Sequence, residues 1–211
     1  MPKITRSVQE VDAVREQILQ CAFDILAKHG YESLSMSKIG HKMKMTAANL
    51  YNYYANKDEL LIAIHKKAYG MLYDKTRAAV KSAKTPLERY RKLTDAFVEF
   101  ATGNVNIYDV MFNRPVKQYS DYIGTPHEKM SYEEYHSSMR LLTFTVKIIK
   151  EYRDTQPDLK PADPKSLALH CTSALHGIIS LHNSGVLKQI AGDPEAVMKE
   201  IIEATMRLVT G

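Results

Sequence analysis

No stretch of this chain is apolar over the roughly 20 residues that a helix needs to cross a bilayer. Its first residues, Met-Pro-Lys-Ile-Thr-Arg, lack the apolar core of a signal peptide. A cytoplasmic protein with no membrane partner is the expectation. Cysteine is scarce: Cys21 and Cys171 fall in different predicted elements, without the spacing of a disulfide pair or a metal site. Both read as small buried hydrophobes. Also missing are H-E-x-x-H, G-x-S-x-G, a Walker loop and a glycine-rich dinucleotide loop. Neither an enzyme nor a bound cofactor is expected. His170, His176 and His182 follow at intervals of six residues, so on a helix each is turned about 120° from the last. They face three ways and predict no metal site. Internal repeats, low-complexity tracts and convincing strand patterns are absent as well.

What is present suits a globular protein. Of the 211 residues, 45% are hydrophobic and 25% charged, enough to bury one large helical core or two modest ones. The net charge of +5 favours polyanions only weakly. Its placement says more: residues 1–57 carry eight lysines and arginines against five acids, more than half of the excess in about a quarter of the chain.

Helical signals run the whole length, and the expected class is all-α. Ser7 with Glu10 forms a capping box, apolar residues recur at Val11, Val14, Ile18, Ala22 and Ile25, and Gly30 is the stop. Two short patterns follow, Met36 to Met43 and Ala47 to Tyr54, with only Lys44, Met45 and Thr46 between them. That is the turn length of a helix-turn-helix. A long helix is predicted over 56–81 with Glu59 in a second box, and another from Pro86 to about Gly103. A short one follows around 106–112, then a loop over 113–126 and a helix over 128–153. Asp163-Pro164 and Asp193-Pro194 open two last helices, over 164–187 and 194–209.

The chemistry concentrates in I-G-H-K-M-K-M-T-A-A-N-L-Y-N-Y-Y-A-N-K-D-E-L-L, Ile39 to Leu61. Thr46 can cap the second short helix, whose N-terminus then suits phosphate. Leu50 and Tyr54 share one face and should pack on Ile39 and Phe23. The other face presents Ala47, Ala48, Asn49, Asn52 and Tyr53. Small residues admit the backbone to base edges, and an asparagine can bond an adenine through paired contacts. Tyr51 and Tyr53 offer hydroxyls to phosphate, and Lys57 a compact cation.

This stretch resembles the DNA-binding domain of the tetracycline-repressor (TetR/AcrR) family, whose pattern is roughly I-A-x-x-A-G-V-S-x-G-T-L-Y-x-Y-F-x-x-K-E-x-L. Ile39, Thr46, Leu50, Tyr51, Tyr53, Lys57 and Leu60 fall in register without gaps, and Ala48, Asn49, Tyr54 and Asp58 are close substitutions. Two positions depart: Lys44 stands where the pattern has glycine, and Gly40 where it has alanine. Lys44 is expected to need φ > 0, with some strain. The resemblance implies phosphate contacts from Ser35, Thr46, Tyr51, Tyr53 and Lys57, with Ala47, Ala48, Asn49 and Asn52 nearest the bases and Lys44 in the same DNA-facing set. Residues 1–55 would form the DNA-binding domain and 56–211 a helical domain for ligand binding and dimerisation. F-A-x-x-N-x-x-x-Y-x-x-M-F, Phe100 to Phe112, and A-L-H-G-I-I-S-L, Ala174 to Leu181, look like the regulatory domain of one subgroup.

In that second part Leu167, Cys171, Leu175 and Ile178 form one apolar stripe, and Val197, Ile201, Thr205 and Leu208 another. Paired across a two-fold axis they would make a four-helix homodimer interface, with Gly177 permitting close approach. Between the DNA-reading and dimerising segments lie Tyr108, Met111, Phe112, Tyr132, Tyr135, Met139 and Phe144. Tyr108, Met111, Phe112, Tyr135, Met139 and Phe144, with His176, are the candidate lining of a pocket for a small-molecule effector. The expected function is a DNA-binding regulator, a repressor released from a palindromic double-stranded operator by a small hydrophobic or aromatic ligand. The alternative is a ligand-independent regulator whose core is filled.

Overall fold

The computed structural model describes residues 7–211, and every regular element among them is helical. The first six residues, read above for a leader, lie outside the described residues. Helix α1 is Val8–His29. The Ser7 side chain accepts from the Glu10 N–H, Glu10 reaches back to the Ser7 N–H at 2.7 Å, and Gly30 ends the helix with its N–H on the Leu26 carbonyl. Helix α2 is Met36–Met43 and α3 is Ala47–Leu50. Leu50, Tyr54, Ile39 and Phe23 are all buried, as their spacing predicts. Helix α4 is Lys57–Val80, with the Glu59 N–H on Asn56 Oδ1 at 2.8 Å; Glu59 itself reaches Ala55 rather than Asn56, at 2.6 Å.

Helix α5 is Pro86–Gly103, opened by the Thr85–Glu88 box, and α6 is Val105–Tyr108. The short helix expected over 106–112 is in fact α6 followed by one π-helical turn, Asp109–Asn113. The expected loop after it contains a 3₁₀ turn, Tyr119–Tyr122. Helix α7 is Glu128–Asp154 and α8 is Pro164–Asn183. The latter stops four residues early because Gly185, at φ 79°, turns the chain into the separate short helix α9, Val186–Ile190. Helix α10 is Pro194–Thr210.

Two compact units result. One holds the described residues up to Tyr69 together with Asn106–His136; the other holds Gly70–Val105 and Ser137–Gly211. These limits differ from a division at residue 55, since the first unit includes the start of α4 and a segment from the middle of the chain. Side-chain pairing explains the inclusion. Asn106 donates to the Ala27 carbonyl at 2.9 Å, and Arg114 pairs with Glu32 at 2.8 Å. Lys117 meets Asp58 at 2.5 Å, and His127 lies 3.1 Å from Asn56. In the second unit, Val80, Tyr90, Leu93, Ile148, Ile149, Ala168, Cys171, Met206 and Val209 form one core.

Lys44 has φ 55° and ψ 37°, the one non-glycine residue at positive φ among those described. The second departure from the family pattern belongs with it. A Cβ at Gly40 would lie 2.7 Å from the Met45 carbonyl oxygen, whose own N–H bonds the Gly40 carbonyl at 2.8 Å. The turn has therefore closed onto the space that an alanine would take. Gly40→Ala is expected to destabilise the protein by about 1–3 kcal/mol through this overlap. Lys44→Gly should stabilise it by about 0.5–1 kcal/mol, the relief of left-handed strain less the added unfolded-state freedom. Urea midpoints of the two variants check both signs.

Candidate nucleic-acid interface and effector site

The starts of α2 and α3 are each fixed by a local cap. Ser35 accepts from the Lys38 N–H and Thr46 from the Asn49 N–H, each at 3.2 Å. Lys44, Thr46, Ala47, Ala48, Tyr51 and Asn52 are exposed, and Ser35, Asn49 and Lys57 partly so. Asn52 Nδ2 donates to Asn49 Oδ1 at 3.3 Å, so the two amides hold one another on that surface. Lys57 opens α4 with its ammonium 4.3 Å from the centre of the Tyr31 ring, and the Arg114 guanidinium lies 5.3 Å from the same ring.

Tyr53 needs a correction. Its spacing on a regular helix assigns it to the exposed face, but it is only 6% exposed. After Leu50 the chain tightens, with Asn52 bonded to the Asn49 carbonyl and Tyr53 to that of Leu50. In a three-residue turn, side chains three apart eclipse, so Tyr53 follows Leu50 inward.

Arg15 was not foreseen. Its guanidinium lies 4.5 Å from the centre of the Tyr54 ring, its Nη2 pairs with Glu59 at 2.9 Å, and its Nη1 donates to the Tyr53 carbonyl. The Tyr54 hydroxyl returns a bond to the Arg15 carbonyl at 3.2 Å. Burial pushes that hydroxyl up to about 12, so it stays a neutral donor. One side chain thus joins α1, the chain just after α3 and the first turn of α4. Its partners lie 38 and 44 residues away, and no local pattern announces them.

The expected effector residues separate. Tyr108 and Met111 are buried in the first unit, where the Tyr108 ring lies 5.0 Å from the half-buried Phe112. Tyr135 is exposed and stacks on Tyr119 at 5.9 Å. Met139, Phe144 and His176 belong to the second unit. There Phe144 packs on the core with its ring 5.9 Å from that of Tyr73, and His176 meets Phe97 at 5.4 Å. Three residues not singled out by the sequence lie in the same unit: Tyr69, edge-on to Phe112 at 5.8 Å, His65 and Glu134. The signal for the first two was a histidine and a tyrosine four apart on α4, among the buried Ile64, Ala68 and Leu72.

The expected dimer stripes also change. Cys171, Leu175 and Ile178 are buried within the protomer, and Thr205 is fully so, its carbonyl 3.4 Å from Cys171 Sγ. Leu167 packs against the same core. Helix α8 is apolar on more than one side, and its richest stripe was taken by α5 and α10 of its own chain. Outward on α8 are Gly177 and Leu181, with Ala174 half-exposed; on α10 Val197, Ile201 and Ala204 are half-exposed and Leu208 is 48% exposed. Ala174, Ile201, Ala204 and Leu208 line one shallow apolar groove.

Comparison with known proteins adds two family matches. The model described as "Bacterial regulatory proteins, tetR family" matches residues 18–64, and "Tetracyclin repressor-like, C-terminal domain" matches 90–205. The HTH-type transcriptional regulator BetI of Rhizobium meliloti is 32% identical over 79 residues, 37% of this chain and 39% of that one. The chain spans about half or less of the length of the curated relatives it matches. A Rhodococcus sp. RHA1 protein of unknown function superposes with a TM-score of 0.73 at 21% identity, covering 98% of this chain and 97% of that one. FadR of Bacillus subtilis in complex with stearoyl-CoA gives 0.64 at 16% identity, covering 90% and 97%. At those identities the structures speak for the fold.

Proposed function

The chain belongs to the tetR family of bacterial regulatory proteins, and from that premise we propose that it is a dimeric DNA-binding transcription regulator that represses a palindromic operator until a small molecule releases it. The observation that carries the DNA-reading part is the exposed face of α3. Small residues at its capped start are followed by the bonded pair Asn49 and Asn52, with Lys44, Tyr51 and Lys57 around them for phosphate. Tyr53 contributes to this reading through its backbone and packing. Two copies related by a two-fold axis read inverted half-sites about 34–36 Å apart. The outward stripe of Val197, Ile201, Ala204 and Leu208, beside Ala174, Gly177 and Leu181, supports the pairing surface.

Release follows from the continuity of α4. A ligand that displaces this helix moves Glu59, and through Arg15 the end of the recognition segment. A 100-fold loss of operator affinity needs about 2.7 kcal/mol of difference in ligand affinity between the two conformations. The fatty acyl ligand of the Bacillus neighbour makes an acyl effector the competing ligand class.

The test is operator binding by fluorescence anisotropy at several salt concentrations. Asn49→Ala and Asn52→Ala should each lose about 1–3 kcal/mol and relax the preference at particular base pairs. Because each amide positions the other, the double variant should lose less than the sum. Affinity should also fall steeply with salt as counterions are released. Unchanged base preference in both single variants would falsify this reading.

A further inference from the structure

At His65 the first unit holds a buried polar atom that its own side chains leave unsatisfied. His65 is 7% exposed, and its Nε2 has no hydrogen-bond partner. The ring is bonded to the Val110 backbone, and burial pushes its pKa down to about 4, so it is neutral near pH 7. With Nε2 unpartnered, the proton sits on Nδ1 toward the Val110 carbonyl, and Nε2 presents a lone pair. Nδ1 is also 3.9 Å from Glu134 Oε1. Among the described residues no cation pairs with Glu134 while that ring is neutral; the neighbouring Lys66 is held by Glu133 at 2.5 Å. Burial alone raises the Glu134 carboxyl to about 7. The titratable groups that face it are His65 and Tyr69 on α4 and Tyr122 on the 3₁₀ turn.

Rings continue the cluster. Tyr69 is edge-on to His65 at 6.4 Å and to Phe112 at 5.8 Å, and Phe112 meets Tyr108. The Tyr69 hydroxyl is committed as a donor to the Met111 carbonyl at 3.2 Å, within the π-helical turn, a geometry that recurs at functional sites. Once Glu134 is ionised, above about pH 7, the capacity left over here is that of acceptors: a carboxylate and an imidazole lone pair, with aromatic rings beside them. An anion would meet repulsion from Glu134 in a desolvated setting, where a cation would meet attraction from both the carboxylate and the rings.

We propose that the effector of this regulator is an organic cation bearing an N–H donor, with its charge on Glu134, its donor on His65 Nε2 and its apolar body against Tyr69, Phe112 and Tyr108. The assignment rests on the ligand-responsive reading above and narrows its ligand class.

The experiment is calorimetric titration of the full-length protein with 2-phenylethylammonium, its N,N,N-trimethyl derivative, 2-phenylethanol and 3-phenylpropionate, each then tried for operator release. Both cations should bind at least tenfold more tightly than the alcohol, and the carboxylate should not bind. Cation affinity should fall about tenfold from pH 8 to pH 6 as Glu134 takes up a proton. Glu134→Gln should lose the preference for charge and its pH dependence; His65→Phe should weaken the primary ammonium several-fold and spare the trimethyl one. Thermal unfolding of both variants separates these losses from misfolding. Carboxylate binding equal to that of the cations, cation preference surviving Glu134→Gln, or no binding by either cation overturns the assignment. Release of DNA by the carboxylate would overturn the cation assignment and leave the ligand-responsive reading standing. Cations that bind through Glu134 without releasing the operator would overturn their assignment as effectors and leave the ligand-responsive reading to other ligands.

Discussion

Arg15→Ala should lower operator affinity more than tenfold although Arg15 lies on α1, outside the proposed DNA-facing surface. The substitution removes the ion pair with Glu59 and the bond to the Tyr53 carbonyl, and strips the cation from the Tyr54 ring. Glu59 is 12% exposed and keeps only the Ala55 N–H among the partners described. A fully buried pair broken on one side costs about 3–5 kcal/mol. Arg15 is 30% exposed, so solvent screening reduces the expectation to about 1–3 kcal/mol. Urea unfolding measures that loss, and anisotropy with the operator measures the accompanying misplacement of Asn49 and Asn52. Arg15→Lys should recover little, since an ammonium cannot serve a carboxylate, a carbonyl and a ring face together. An Arg15→Ala protein with wild-type urea midpoint and operator affinity would show that this junction has no role.

Leu208→Glu should convert the proposed dimer to monomers and weaken operator binding by 100-fold or more. The side chain is exposed in the protomer, so a carboxylate there costs the fold less than about 0.5 kcal/mol. In the proposed interface two such carboxylates would be desolvated near the two-fold axis, a cost of several kcal/mol. A monomer reads one half-site and loses the simultaneous second contact. Gly177→Leu is the complementary variant. No atom lies within 4 Å of an added Cβ, so the protomer accepts it, and the better helix former adds up to about 1 kcal/mol of stability. Its bulk should nevertheless part the two subunits. Leu175→Ala, at a buried position, should instead destabilise the protomer by about 2–5 kcal/mol. Light scattering at micromolar concentration distinguishes the cases, and a dimeric Leu208→Glu protein would discard this surface.

Much of the architecture was legible because it is written in contacts three or four residues long. The Ser7–Glu10 and Thr85–Glu88 boxes and the caps at Asp163 and Asp193 each join a side chain to a nearby backbone N–H. The left-handed Lys44 was legible for the same reason, since a three-residue turn leaves the backbone few choices. Tyr53 shows where such reading ends. Its face follows from whether the chain keeps 3.6 residues per turn past Leu50 or tightens to three, and the packing of Leu50 and Tyr54 decides that.

By itself the sequence determined the helical class, the capped starts of α1, α5, α8 and α10 and the three-residue turn between α2 and α3. Each of these depends on local capping, on periodicity or on a gapless pattern of residues. Only the tertiary structure decided which apolar side of α8 turns inward, that Arg15 ties the chain after α3 to α4, and that His65 meets Glu134 sixty-nine residues later. A helix that is apolar on several sides can bury any of them, and the partner that arrives makes the choice. Charge placement obeys the same rule. A lone histidine or glutamate reads as surface until the fold removes the water around it, and only then does its unmet hydrogen-bonding capacity become a site.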